Sequence, residues 1–366
     1  MRKILFALSA LAGACAALPA AAQSTVQIYG TVDAAVGVIE TLAPPTSLAP
    51  AGPGAARVVT IKGVHSGAVQ TSFWGLRGTE DLGNGMKARF VLEAFFRTDT
   101  GAPGRFDANP GSGADYFFGR NAYVALGSDK LGEVKLGNTP HPTWISLIQT
   151  NAFGPNSLFS PSFRVLFAGG SKSPNGVEAD TSLVNSAQYS SPVLAGFSAN
   201  AALQAGEGSG SRYSYSFNLN YRAGPLFVTV ANTSLRHAAL PQLPGARQQD
   251  TWLAGVAYTI DPVRLFGQYA DIDNDRIGYD DEFVTVGTAA TFGANTFQLA
   301  HAQDKQDPRA PGAATRTRET TSAGFLHAMS KRTELYLMLM RDKVWVPAAA
   351  DYQNADSYVA GIRHQF

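Results

Sequence analysis

Lys87, Arg89, Glu93 and Arg97 share one parity of a segment whose other parity carries Phe90, Leu92, Ala94 and Phe96. Successive side chains of a strand point to opposite faces, so this spacing sets the charges in one row and the apolar groups in another. A fixed row of cations beside water breaks no bonds. It creates a field that orders ions and polar solutes. Arg77 and Lys135 fall on the polar parity of their own segments. Arg120 shares the parity of Val124 and Leu126, so it reaches the polar face only if a bulge intervenes. The competing reading is a set of solvated charges that contribute mainly solubility.

Other constellations point away from chemistry. Asp271, Asp273, Asp275 and Glu282 stand at positions 1, 3, 5 and 12 of a calcium-loop spacing, but the glycine needed at position 6 is Arg276 and no helices flank it. An acidic surface loop is the simpler reading, with a loose Ca²⁺ site or a cation bridge to lipopolysaccharide as the alternative. Gly206, Gly208 and Gly210 precede a strand pattern, not a helix, which rules out a phosphate loop. The six histidines are scattered, and no G-x-S-x-G elbow occurs. Neither a catalytic centre, a cofactor nor a metal site is predicted.

The elements that must carry these residues are strands. Tyr213, Tyr215, Phe217, Leu219 and Tyr221 alternate with Ser214, Ser216, Asn218, Asn220 and Arg222. The C-terminal segment repeats the pattern through Tyr358, Ala360, Ile362, His364 and Phe366, and Trp252, Ala254, Val256, Tyr258 and Ile260 form another apolar row. Such runs last about ten residues, the length of a tilted strand crossing a bilayer. The joins alternate between short turns, such as Ala223-Gly224 and Asp261-Pro262, and long loops near 40–66, 99–115, 140–181, 235–249, 272–280, 305–318 and 343–354. Sixteen strands are predicted, near 25–39, 67–79, 85–98, 116–127, 132–139, 182–190, 195–205, 213–222, 225–234, 250–260, 263–271, 281–292, 295–304, 319–328, 332–342 and 355–366. The fold class is all-β, a 16-stranded antiparallel transmembrane β-barrel. A barrel that wide cannot be filled by its own side chains, so its lumen holds water, with polar faces inward and apolar faces on lipid. A secreted sandwich would invert the two faces.

Composition agrees. Charged residues are 16% of the chain, below the roughly 25% usual for soluble proteins. Residues 1–22 read as a signal peptide: Arg2 and Lys3, an apolar stretch, then Ala20-Ala21-Ala22. The domain that follows is 23–366, with 27 basic against 28 acidic residues and no cysteine, since the single one is Cys15. That balance excludes a globally basic nucleic-acid binder, and the cysteine count excludes a disulfide framework.

Several segments resemble the trimeric general-diffusion porins of the Gram-negative porin family of β-proteobacterial type. They are Val26-Gln27-Ile28-Tyr29-Gly30-Thr31-Val32-Asp33-Ala34, the hairpin Phe73-Trp74-Gly75-Leu76-Arg77-Gly78-Thr79-Glu80-Asp81-Leu82-Gly83-Asn84-Gly85-Met86-Lys87-Ala88, Phe118 to Leu126, Gly132 to Gly137, Asn185 to Pro192 and the Phe366 terminus. The resemblance implies an outer-membrane homotrimer among lipid and lipopolysaccharide, passing ions and small hydrophilic solutes. It implies a third long loop folded into the lumen, and a C-terminal Phe366 read by the barrel-assembly machinery. That constriction loop is 140–181, with Arg164 and Lys172 set against Glu178 and Asp180 near its end. Facing a basic wall, so little acid suggests weak anion preference. One departure matters: where the family usually carries Arg then Gln after Leu136-Gly137, this chain has Asn138 and Thr139. Alternatives are a substrate-specific outer-membrane channel, an outer-membrane enzyme and a chiefly structural surface protein.

Overall fold

Alternating side chains suit a strand with hydrocarbon on one face and hydrophilic groups on the other, and this pattern runs through most of the chain. The computed structural model describes residues 25–43, 57–105, 116–156, 158–166, 181–206, 213–237, 247–275, 278–309, 312, 314–346 and 351–366. The expected signal segment and Lys172, Glu178 and Asp180 lie outside the described residues.

Among the described residues, seventeen strand segments form one antiparallel sheet: β1 (Thr25–Ala43), β2 (Arg57–Ser66), β3 (Phe73–Gly83), β4 (Met86–Phe95), β5 (Asn121–Ser128), β6 (Gly132–Pro140), β7 (Ser182–Ser190), β8 (Phe197–Gln204), β9 (Ser214–Ala223), β10 (Leu226–His237), β11 (Arg247–Ile260), β12 (Val263–Asn274), β13 (Tyr279–Phe292), β14 (Asn295–Pro308), β15 (Arg316–Ala328), β16 (Thr333–Val346) and β17 (Asp351–Gln365). From β3 onward each pairs with its sequence neighbour, and β17 returns to β1 from Thr31 opposite Gln365 to Val38 opposite Tyr358. The ring is closed, so no row of backbone N–H and C=O groups is left open to hydrocarbon. Phe366 extends the seam: its N–H donates to the Gly30 carbonyl at 3.1 Å, and Gly30 N–H returns the bond at 3.2 Å. A Cβ at Gly30 would lie 2.7 Å from the Phe366 ring, so the close approach needs glycine.

Seventeen segments make sixteen staves. β1 pairs with β3 from Thr25 opposite Thr79 to Thr31 opposite Phe73, then with β2 from Ala34 opposite Ser66 to Ala43 opposite Arg57. β2 and β3 are thus one stave, broken by an inward excursion at Gly67–Ser72. Asp33 pins that excursion by accepting from Val69 N–H at 3.1 Å and Gln70 N–H at 2.9 Å, and Tyr336 closes the anchor by donating to Asp33 Oδ1 at 2.5 Å. This corrects two expectations: the 40–66 loop contains a strand, and the 67–79 strand begins at Phe73. The 116–127 strand likewise begins at Asn121, while hairpins at the long-loop end run several residues further than alternation indicated, as in β14 to Pro308. There the strands leave the membrane, and the apolar rows stop before the hydrogen-bond ladder does.

The joins obey the expected asymmetry. Asn84 and Gly85 close β3–β4 in two residues, both with positive φ, as a tight hairpin turn requires. At the opposite end the described part of the β6–β7 connection, 141–156 and 158–166, folds inward. It carries α1 (Pro142–Gln149) and α2 (Pro161–Leu166). His141 Nδ1 caps α1 by accepting from Trp144 N–H at 3.3 Å, with Pro142 following the cap. Asn218 donates to the Pro142 carbonyl at 3.1 Å, Ser146 and Thr229 hydroxyls meet at 2.7 Å, and Gln268 donates to the Leu147 carbonyl at 2.9 Å. Further along, Gln298 donates to the Ala152 carbonyl at 2.7 Å.

Apolar contacts complete the docking. Leu147, Phe163 and Leu166 pack on Leu253, Ile272 and Phe283 of the inner wall. Phe153 and Phe159 pack on Met338, Met340, Val359 and Val69. Each fully buried Leu or Phe contributes about 1.5–3 kcal/mol relative to exposure in the lumen. The outward rows stay uncovered: Tyr215, Phe217, Leu219, Trp252 and Tyr258 are exposed. The inward row Ser214, Ser216, Asn218 and Asn220 is instead buried beneath α1. The polar face therefore does not border water everywhere, because in this half of the barrel it serves as the hydrogen-bonding seat of the loop.

Candidate functional site

The described part of the loop packs on strands from β7 round to β17 and β1, and the wall built by β3–β6 faces it across the lumen. Lys87 and Arg89 project from β4 on the face shared with Glu93, and Arg77 projects from β3. Arg77 Nε donates to Gln27 Oε1 at 3.0 Å and its guanidinium stacks 4.5 Å over the Tyr29 ring. Such stacking holds a cation in place without neutralising it. Arg89 meets Glu133, and Lys135 Nζ stands 3.7 Å from the other oxygen of that carboxylate. Lys87, exposed, sits opposite Asp81 in the β3–β4 register. Tyr29, Arg77, Arg89, Glu93, Tyr123 and Lys135 line a recess of about 310 Å³ in this wall.

Glu93 is not part of the open row. It is buried, accepting from Tyr29 OH at 2.5 Å and from the Asn121 amide. Arg120 reaches it, with Nε 3.2 Å from Glu93 Oε2, and lies 4.2 Å over the Phe73 ring. No bulge is needed, because β5 starts one residue later and strand parity does not bind Arg120. Asn138, at the family's arginine position, donates to the Gly119 carbonyl at 3.1 Å beside Arg120. A register shift between Gly137 and Thr139 accompanies it. Arg97 departs from the expected row: β4 ends at Phe95, and Arg97 lies in the following loop with its N–H donating to the Ala102 carbonyl at 2.8 Å.

Arg164 is the main correction. The sequence counts it among the charges of the constriction loop, set against Glu178 and Asp180, yet it is buried, with Nε 4.0 Å from Asp342. Arg318 grips the same carboxylate in a fork, Nε to Oδ1 at 2.8 Å and NH2 to Oδ2 at 2.6 Å. Burial lowers the Arg164 guanidinium to about 10, against the opposing pull of Asp342, so it stays charged at neutral pH. The group thus clamps the loop to β15 and β16 and does not face solutes. The calcium-like spacing also dissolves: Asp271 to Asn274 and Tyr279 to Glu282 are paired strand residues of β12 and β13, and Arg309 meets Asp273, Asp275 and Asp280.

Comparison with known proteins decides the family. The family model for Gram-negative porins matches residues 7–344. The chain belongs to the Gram-negative porin family. It is 28% identical to outer membrane porin protein 32 of Delftia acidovorans and 28% identical to an outer membrane porin protein of Bordetella pertussis, with the whole of each chain covered. Its fold is similar to an anion-selective porin from Comamonas acidovorans, with a TM-score of 0.71 at 24% identity over 94% of this chain and all of that one. A trimer form of OmpT from Vibrio cholerae aligns with a TM-score of 0.63 at 12% identity, covering 94% of this chain and 99% of that one.

Several groups that shape this porin's lumen escaped the sequence reading: Asp342 and Arg318, Asp33 with Tyr336, and Gln268. Asp342 had a signal. It sits on the inward parity just after the apolar run Leu335 to Met340, where a buried carboxylate demands a partner.

Proposed function

We propose that this porin forms a water-filled outer-membrane channel for passive diffusion of ions and small hydrophilic solutes, with a weak preference for anions. One observation carries the preference. Arg77, Lys87, Arg89 and Lys135 project from one wall, while the described part of the facing loop, 141–156 and 158–166, contains no Asp or Glu. Glu133 offsets part of the basic charge, so the field favours anions without excluding cations. The anion selectivity printed for the Comamonas relative supports the same reading.

The rest of the reading follows the family. Residues 1–22 are removed as a signal peptide and 23–366 form the barrel. Three copies associate, as the trimer form of OmpT supports. Phe366, seated on Gly30 at the closing seam, is the group the assembly machinery reads. Lipopolysaccharide surrounds the long-loop end.

Purified protein in a planar bilayer under a KCl gradient provides the test. Stepwise conductance is expected, with a reversal potential displaced toward that of chloride. A clear displacement toward potassium would overturn the anion preference.

A further inference from the structure

Arg222 and Arg264 stand apart from the basic wall. Each shares the parity of groups that bind the inserted loop, Asn218 and Gln268, so both point into the lumen. Arg222 is two residues before the Gly224 turn and Arg264 two after the Asp261–Pro262 turn, which puts both at the periplasmic end, below the loop. The register joins them: Arg222 pairs with Phe227, Phe227 with Ala257, and Ala257 with Phe266. Arg222 stacks 4.5 Å over the Phe227 ring, leaning toward β12, and Arg264 stacks 4.8 Å over Phe266. Three strand spacings, about 14 Å of concave wall, separate their backbones, a span that two inward-pointing arginine side chains can bridge from either side. Arg264 NH2 also donates to the Gln149 carbonyl at the end of α1, at 3.3 Å.

Their charges are uncompensated. Among the described inward guanidiniums, Arg89, Arg120, Arg164, Arg318 and Arg363 each have a carboxylate within 4.0 Å, while Arg77, on the basic wall, has Gln27 and the Tyr29 ring. Arg222 and Arg264 have none among the described residues. Two guanidiniums held over aromatic rings, facing water and sharing no acid, present forked donors to one oxyanion at low ordering cost. Neither Phe227 nor Phe266 can move aside, since Phe227 is buried and Phe266 packs against the loop cluster.

We propose that Arg222 and Arg264 form a second anion station at the periplasmic exit, binding a small doubly charged oxyanion such as inorganic phosphate. A solute that passes the basic wall meets a discrete site before release, and one arriving from the periplasm meets it first. The inference rests on the channel reading above, and the experiment separates the two.

Single channels in KCl are titrated with inorganic phosphate on one side and then on the other. A saturable reduction of the chloride current is expected, markedly stronger from one side in every channel. In the Arg222→Gln/Arg264→Gln variant the stronger-side affinity falls about tenfold and the asymmetry disappears. Arg222→Lys/Arg264→Lys keeps the charge without the fork, and its affinity falls between the two. Stepwise conductance in each variant reports that the barrel has folded. Block that is equal from both sides in the parent protein overturns the station, as does asymmetry that survives in the Gln variant and vanishes in Arg77→Gln/Arg89→Gln. Absence of any conductance sinks the channel reading itself.

Discussion

Arg77→Glu combined with Arg89→Glu is expected to turn this porin from anion- to cation-preferring. Arg77 carries its charge beside water, with Tyr29 and Gln27 as its partners among the described residues, and the Arg89 side chain is 44% exposed on the same wall. The two substitutions change the wall by four charges and leave Lys87 and Lys135 as its remaining cations beside Glu133. In water each unit charge acts on an ion 8 Å away with about 0.5 kcal/mol, so four amount to about 2 kcal/mol before screening. That exceeds the roughly 1.4 kcal/mol worth a factor of ten. The reversal potential in a KCl gradient should therefore change sign. The effect should be largest in dilute salt and shrink toward 1 M, where the screening length is about 3 Å. A reversal potential unchanged by the double variant would show that the ions pass elsewhere.

Asp342→Ala is expected to be the most destabilising single change on the inner wall. Its carboxylate is buried, gripped by Arg318 in a fork, by the Thr320 hydroxyl at 3.0 Å and by Arg164 at 4.0 Å. Removing it leaves two buried guanidiniums without their counter-charge, and the Arg318 NH1 contact to the Arg164 carbonyl at 3.4 Å draws them to one point. Truncating one partner of a buried ion pair costs about 3–5 kcal/mol. The strain is relieved most cheaply by releasing α2, because the barrel wall itself is held by its full ladder. Thermal unfolding in detergent should shift downward. The open-channel current should become larger and noisier as the loop leaves the wall. Arg164→Met in the same background should restore part of the loss by removing one orphaned charge. A variant that melts like the parent and conducts quietly would contradict the clamp.

The sequence made the barrel plain wherever one face met lipid and the other met water or polar groups. Residues 213–222 show this best: their aromatic row is exposed and their Ser and Asn row faces inward. Legibility failed where the inserted loop replaced water. Leu335 to Met340 is an unbroken apolar run, because Leu335, Leu337 and Leu339 face out while Met338 and Met340 are buried against Phe153 and Phe159. Continuous apolarity is the mark of a strand covered on both faces. The loop that covers it is some two hundred residues earlier in the chain, out of reach of any local pattern. The same blindness hid Arg164. Its charge read as one of the constriction-loop charges, and its partner Asp342 is joined to it only by the fold. Arg120 and Arg97 were harder to place for a smaller reason: each lies one or two residues beyond a strand end, where parity stops assigning a face. Arg77, Lys87, Arg89 and Lys135 were legible because they lie well inside regular strands.

Near the basic wall the polar parity borders water, while the aromatic parity touches lipid, and the channel depends on that division. Residues 23–366 contain no cysteine, so single cysteines at Arg89 and Leu219 can be compared directly. A bulky, charged, membrane-impermeant thiol reagent is added to each variant while single-channel current is recorded. Arg89→Cys should react and lose current in steps, and Leu219→Cys should be untouched. Rapid reaction at Leu219→Cys with loss of current, and none at Arg89→Cys, would mean that the two faces are assigned the wrong way round.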